Sequence, residues 1–386
     1  MKNYICLIVG LVLAFFTACS SDEPTPPNNP DPETPVIKPQ VDPELANTIG
    51  FFMENWAPKN FTIPSSYDVG VAPTGTTSTV TVDFANVITK IPESIYGNNA
   101  NLWSGKMITN AGLMTDITNL KPNIIRFPGG SISDVYFWNA ASKPATAPTT
   151  LRNSDGKDEP SGFWYGLNDA DWTVSLANYY QLLQTTNSKG IITINYGYAR
   201  YGTGADPVQD AAKLAADWVT HDNGRTKYWE IGNENFGDWE AGYRINPDNN
   251  KDSQPEFLNG QLYAQHFKII AQAMRTAAAA IGNNDIKIGA VLFESKPESW
   301  MSNNNKTWND KLLPAIEENA DYYVVHSYFT DIANVNAATI LETPKTKINT
   351  FMAYVKNDLK AKLKQEKPIA LDEWNIFAKD SKQQVS

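Results

Sequence analysis

Cysteine is almost missing from this chain: there are 2 in 386 residues, Cys6 and Cys19, both near the N-terminus. A disulfide framework in the folded part is thereby excluded, and stability has to come from a core. Histidine is nearly as scarce. His221, His266 and His326 follow no His-x-x-x-His or comparable spacing, so the pattern implies neither a catalytic metal nor a cofactor. Positive charge is in deficit: 32 Lys and Arg stand against 42 Asp and Glu, a net charge of −10, which argues against nucleic acid or an anionic membrane surface as partner. No Gly-x-Gly-x-x-Gly loop follows the first candidate strand, and no internal repeat is evident.

What is present begins with a sorting signal. Lys2 precedes an apolar run at 5–16 that is too short to span a bilayer but suits the h-region of a secretory signal. The run ends in Phe16-Thr17-Ala18-Cys19, which resembles the lipobox of bacterial lipoproteins, with Phe16 where that motif usually has Leu. The resemblance implies cleavage before Cys19 and a lipid on that cysteine; a plain signal peptide is the alternative. Residues 20–44 are dense in Pro and acids and nearly free of large apolar side chains, so they cannot offset their chain entropy and read as a solvated tether. The Ser-Ser-Asp-Glu after Cys19 resembles the export signal of surface lipoproteins in Bacteroidetes-type bacteria. The expected layout is a signal peptide at 1–18, a tether at 19–44, a small β element at 45–90 around the alternating "STVTVDF", and a catalytic domain at 91–386. The expected location is the outer membrane, held there only by the lipid and exposed at the cell surface.

Eleven Trp and seventeen Tyr are compatible with a carbohydrate binder, because aromatic faces stack on sugar rings; filling a large core uses the same residues. Beyond the tether, β-branched apolar runs at 94–96, 123–127, 190–195, 227–231, 286–292, 321–326 and 368–371 alternate with helical patterns at 108–120, 174–186, 207–219, 261–280, 308–318 and 345–365. Such alternation predicts parallel strands joined by right-handed crossovers, and seven units in a row predict an α/β fold of the (β/α)8 TIM-barrel type rather than a doubly wound sheet.

In such a barrel the residues just past each strand line the active site. They are Asn98 and Asn99 after the first strand, Arg126 at the second, Asn195 after the third and Asn233-Glu234-Asn235 after the fourth. The sixth contributes His326 and Tyr328, and the seventh Asp372-Glu373-Trp374. Two strands across the mouth from each other therefore end in a glutamate. Cleavage of a glycosidic bond with retention needs such a pair, one acid to protonate the leaving oxygen and one carboxylate to attack the anomeric carbon. Asn233 is placed to hydrogen-bond a sugar 2-hydroxyl, apolar or aromatic surroundings would keep Glu234 protonated, and Arg126 with Tyr328 would hold Glu373 ionised. Asp372 is expected to organise its neighbour and to face away from the mouth, since only one carboxylate of an adjacent pair on a strand can face it. Glu230 and Glu240 read as salt-bridging or solvated, His221 and His266 as ordinary helix residues, and Glu294 after the fifth strand as a possible substrate contact.

These segments also resemble a known family. "KYWEIGNENFGDWEAGY" is similar to the acid/base segment of glycoside hydrolase family 51, the α-L-arabinofuranosidases of clan A, and "IALDEWNIF" to its nucleophile strand. "IIRFPGGSISDVYFW", "INYG" and "VHSYF" resemble its second, third and sixth strands. The resemblance implies Glu234 as acid/base, Glu373 as nucleophile, Asn233 as partner of the 2-hydroxyl, Arg126 and Tyr328 as supports of the nucleophile and His326 as a wall of the sugar site. It implies a polysaccharide or oligosaccharide containing arabinose or a related sugar as substrate. Where the family has a glutamate after the first strand, this chain has Asn98 and Asn99, which leaves open an endo-acting clan A relative such as an agarase or xylanase; Trp103, Trp138, Trp239 and Trp374 would then line a polymer cleft. A surface glycan-binding lipoprotein on a degenerate barrel is the non-enzymatic alternative. Only thirteen residues follow Glu373 (386 minus 373), so the eighth strand is expected to be missing from the chain given.

Overall fold

The computed structural model describes residues 90–328, 337–364 and 366–375 continuously, with 51–53 and scattered positions between 57 and 83. The expected signal peptide, Cys19 and the tether lie outside the described residues. So does most of 45–90; its described residues 80–83 form no strand.

Seven strands follow one another in a single parallel sheet in chain order: β1 Gly97–Asn99, β2 Ile124–Phe127, β3 Lys189–Ile194, β4 Tyr228–Ile231, β5 Lys287–Val291, β6 Tyr322–Tyr328 and β7 Ile369–Asn375. Between them run α1 Ala111–Leu120, α2 Leu176–Thr186, α3 Pro207–Asp222, α4 Gly260–Ala280, α5 Asn303–Ile316 and α6 Ala337–Lys362. The helices begin where the sequence supplies caps: the side chains of Asn110, Ser175, Asp206, Asn259 and Ser302 each accept a backbone N–H of the first turn. The sheet curls until its two edges meet, and Asn99 Nδ2 on β1 donates to the Asp372 carbonyl on β7 at 3.0 Å. Seven parallel strands thus form a nearly closed TIM-type barrel.

Two local expectations change. The first strand lies at 97–99 instead of 94–96, because Pro92 caps a 3-10 turn over Glu93–Ile95. The last helix begins at Ala337, eight residues before its expected start at 345. The long segment between β2 and α2 is also more built than its sequence pattern shows: it holds a 3-10 turn at Gly130–Val135, a short parallel pair (Tyr136–Phe137 with Trp164–Tyr165) and a hairpin (Thr150–Arg152 with Asp158–Pro160).

Strand alternation sorts the side chains into an outer core and an inner column. Ile125, Phe127, Ile192, Ile194, Trp229, Ile231 and Val325 belong to the large cluster under the helices. Ile124, Ile191, Tyr228, Tyr322, Val324 and Ala370 form a separate inner cluster, sealed from below by Phe51 and Phe52; Phe51 packs on Tyr228 and Tyr322 with ring centroids 4.9 and 5.3 Å apart. Above this apolar plug the inner residues turn polar: Arg126, Thr193, Glu230, His326 and Asp372, all on the way to the mouth formed by the strands' C-terminal ends. The plug keeps water from reaching that layer from below.

Tyr322 crosses the inner column to donate its hydroxyl to the Trp229 carbonyl at 2.9 Å, and its ring lies where a side chain at Gly289 would stand. Gly289→Ala should therefore cost about 1–3 kcal/mol by overpacking. In urea unfolding the midpoint should fall with an unchanged slope; an unaltered midpoint would show that the column yields at this point.

Candidate active site

β4 and β7 deliver the two glutamates. After Ile231 the chain turns sharply at Gly232, with φ 82°, and Glu234 itself has φ 40°. The left-handed region costs a non-glycine residue about 1–3 kcal/mol and is kept only where the surroundings impose it. In this conformation Glu234 Oε1 meets His326 Nδ1 at 2.8 Å and Oε2 accepts from Trp239 Nε1 at 3.0 Å. Glu373 Oε1 accepts from Tyr328 Oη at 2.6 Å, and Oε2 from Arg126 Nη1 at 3.2 Å. One oxygen of each glutamate and a nitrogen of His326 all lie within 4.8 Å of one another.

Asp372 does not face away. The β6–β7 register slips between Val325 and His326, so that Val325 pairs with Leu371 but His326 with Glu373. The slip is a β-bulge, which breaks the strict alternation of sides: Asp372 follows Ala370 to the inner side, and Glu373 is re-aimed to join it. Asp372 and Glu373 consequently both reach Arg126, at 3.5 Å from Nε and 3.2 Å from Nη1, and Asp372 Oδ1 lies 3.1 Å from His326 Nε2.

Arg126, 2% exposed, is the hub of the site. Its Nε donates to Glu230 Oε2 at 2.8 Å and its Nη2 to Asn233 Oδ1 at 2.9 Å. Burial alone would weaken its charge, but Glu230, Asp372 and Glu373 together keep it protonated, above even the usual arginine range. Burial pushes Glu230 up to about 8 against the pull of Arg126, whereas Asp372, despite its burial, is held below the usual range by Arg126 and His326.

The charge state of Glu234 reverses the expectation from sequence. Burial does raise its carboxyl, but the hydrogen bond and charge of His326, helped by Trp239 and Arg126, bring it below the ordinary value. His326 responds in kind: burial would lower it, and the carboxylates of Asp372 and Glu234, one at each ring nitrogen, raise it well above the usual histidine value. The resting site holds a Glu234 carboxylate on an imidazolium. Glu234, His326 and Glu373 also have the dimensions of a three-ligand cation site, but a metal would have to displace the proton from His326 and break that ion pair.

The remaining residues named from sequence divide. Asn233 is at the site, its oxygen taken by Arg126 and one N–H by Glu240 Oε1 at 3.0 Å. Trp374 and Trp239 are exposed beside the two glutamates. Asn98 is exposed on β1, while Asn99 ties β1 to β7. Asn195 is not brought to the mouth: it is buried and its amide is spent on the Tyr136 carbonyl, Tyr201 Oη and Tyr198 N. Trp138 is buried and stacks on Trp218. His266 is a core residue, pushed down to about 3 by burial, and His221 packs on Trp138. Glu230 forms its ion pair, but Glu240 is neither salt-bridged nor solvated: it is buried against Ser131 and Asn233. Glu294 is pushed up to about 7 by burial and the Glu234 charge, with one oxygen buried and unpartnered. Asp134 carries no signal in the sequence beyond being an acid four residues past the Gly-Gly turn.

No family model matches the chain, and no curated protein matches its sequence. Among solved structures it is similar to a family 51 α-L-arabinofuranosidase from Bifidobacterium longum, at 18% identity and a TM-score of 0.50, over 74% of this chain and 56% of that one. It is also similar to a family 51 arabinofuranosidase from Xanthomonas axonopodis pv. citri, at 15% identity and a TM-score of 0.47 over 76% and 59%. A third is a family 39 glycoside hydrolase from Bacteroides cellulosilyticus, at 14% and 0.40 over 75% and 51%. The first likeness establishes a shared barrel fold, and this chain spans little more than half the length of that protein.

The ion pair makes a prediction about stability. His326, raised on folding, contributes fully below the ordinary histidine value of 6.5 and loses its contribution as pH rises through its elevated folded value. Glu234, lowered on folding, contributes above the ordinary 4.5 and loses it as pH falls through its depressed value. The stability gap between the wild type and His326→Gln, measured by urea unfolding, should be widest between these two values and narrow on both sides. A gap that is flat with pH would mean that the pair is not charged.

Proposed function

We propose that this chain is the catalytic barrel of a retaining glycoside hydrolase. The observation that carries the reading is the pair Glu234 and Glu373 at the barrel mouth, with oxygens within 4.8 Å and unlike partners. Retaining enzymes place their two carboxyl groups about 5–5.5 Å apart, while inverting enzymes leave about 6.5–9.5 Å for a water. The nearest oxygens here lie within 4.8 Å, which supports the retaining arrangement.

Glu373 is the nucleophile. Arg126 and Tyr328 hold its two oxygens, so the attacking atom is aimed before substrate arrives. Attack forms a bond from Glu373 to the anomeric carbon as the glycosidic C–O bond breaks. Glu234 supplies the proton to the leaving oxygen, drawing on His326, whose Nδ1 proton crosses the 2.8 Å bond and leaves a neutral ring with Nε2 still 3.1 Å from Asp372. In the second half Glu234 takes a proton from water and passes it back to His326 Nδ1, the water oxygen attacks the anomeric carbon, and Glu373 leaves as the carboxylate. Asn233 keeps one N–H free of its bonds to Arg126 and Glu240, and this group meets the sugar 2-hydroxyl.

The substrate proposed is a polysaccharide or oligosaccharide containing arabinofuranose or a related sugar, on the strength of the family 51 motifs. Asn98 and Asn99, in place of that family's glutamate, support the alternative of an endo-acting relative, and the exposed Trp239 and Trp374 suit a longer chain. For the mature protein we propose a lipid on Cys19 and a place on the outer membrane.

Glu373→Ala should lower turnover of p-nitrophenyl α-L-arabinofuranoside, or of whichever polysaccharide in a panel is cleaved, by about four orders of magnitude. Azide should restore part of the rate to this variant and give a glycosyl azide of inverted anomeric configuration; with Glu234→Ala the azide product should keep the configuration. The opposite pairing would exchange the two roles, and inversion by the wild type would defeat the retaining mechanism.

A further inference from the structure

Behind the turn that carries Glu234 lie two carboxyl groups with no cation to balance them. Asp134, in the 3-10 turn after β2, is fully buried. Its Oδ1 accepts from Gly197 N at 3.0 Å, past the end of β3. Its Oδ2 accepts from Asn233 N at 3.3 Å and from Asn235 Nδ2 at 2.7 Å, the two residues that flank Glu234. Glu240 is 3% exposed, and its Oε1 accepts from Ser131 Oγ at 2.7 Å and Asn233 Nδ2 at 3.0 Å, while its buried Oε2 has no hydrogen-bond partner.

Among the described residues neither carboxyl forms an ion pair. The Glu234 carboxylate acts on Glu240, and the Asp134 charge is felt by the phenols of Tyr196, Tyr201 and Tyr263, each kept neutral by burial. Arg126 touches only the far atom of Asn233, its Oδ1. Two uncompensated carboxylates in one dry pocket do not both stay ionised. Burial raises Asp134 to about 7 in spite of its hydrogen bonds, and burial with the Asp134 charge raises Glu240 well above the ordinary carboxyl range.

We infer that Asp134 and Glu240 are a positioning pair for the acid/base glutamate. Asp134 clamps the strained turn on both sides of Glu234, and Glu240 fixes the amide plane of Asn233. The left-handed φ of Glu234 needs such an anchor, because Glu234's own side chain faces the mouth and only its neighbours reach the protein interior. With Arg126 on its oxygen and Glu240 on its nitrogen, the Asn233 amide has one allowed orientation. The third carboxyl in this neighbourhood, Glu294, has no bond to the turn. The inference rests on the glycosidase reading for its kinetic consequences but not for its geometry.

The test uses the full chain labelled with 15N in its three histidines, together with kinetics on the cleaved substrate. Asp134→Asn puts an N–H where the turn offers donors, so the clamp opens and His326 loses its partner. The His326 titration should then move down by about one pH unit or more while His221 and His266 stay in place. kcat should fall about tenfold or more with KM near the wild-type value. Glu240→Ala should act in the same direction on both readouts, and Glu240→Gln, neutral like the protonated acid, should recover most of the loss. An Asp134→Asn protein with the wild-type His326 titration and kcat would overturn the inference. Should that variant not fold, the Glu240 variants decide: recovery by Gln of what Ala loses supports the pair, and equal, wild-type values in both overturn it. A wild type that cleaves no glycoside, with His326 still shifted by Asp134→Asn, would sink the glycosidase reading and leave the positioning role standing.

Discussion

The site is organised around one buried guanidinium. Arg126 stands on β2 inside the barrel and addresses β4 through Glu230 and Asn233 and β7 through Asp372 and Glu373. Its planar fork suits this, since each nitrogen can face a different strand in a fixed direction. A buried cation is expensive unless every direction is met by an acceptor, so once Arg126 is inside, the neighbouring strands are committed to carboxylates and amides at that height. The apolar plug below, closed by Phe51 and Phe52, is the counterpart of that commitment: it excludes water and lets the polar layer act at full strength.

His326 divides the acids above Arg126 into unlike groups. It meets Glu234 with one nitrogen and Asp372 with the other, so it is most stable as a cation, and it offsets the higher proton affinity that burial would otherwise give Glu234. Glu373 is instead supported by a phenol and a guanidinium. Two glutamates a few ångströms apart thereby meet different chemistry, which is the condition for one to exchange protons and the other to attack.

The loops past β2, β3 and β4 are joined from beneath by Asp134, and the long segment between β2 and α2 brings it there. Because Glu234 sits in a conformation its own backbone disfavours, the precision of the site comes from its neighbours rather than from the strand that ends before it. The β7 bulge plays a similar part for the other half of the site, bringing Asp372 and Glu373 to the same side.

By itself the sequence determined the order of strands and helices and the placement of Glu234 and Glu373 at the C-terminal ends of the fourth and seventh strands. These follow from local periodicity and from residues adjacent in the chain, which is why they are legible. The tertiary structure alone decided the charge of Glu234, since the histidine that sets it lies 92 residues away. It decided that Glu373 joins Asp372 on the inner side, through a bulge that no residue pattern announces, and that Asn195 is spent on the fold rather than on the mouth. It decided also that Asp134 meets Asn235 across 101 residues. Proton affinities and hydrogen-bond satisfaction depend on which groups share a dry space, and that is settled only when the barrel closes.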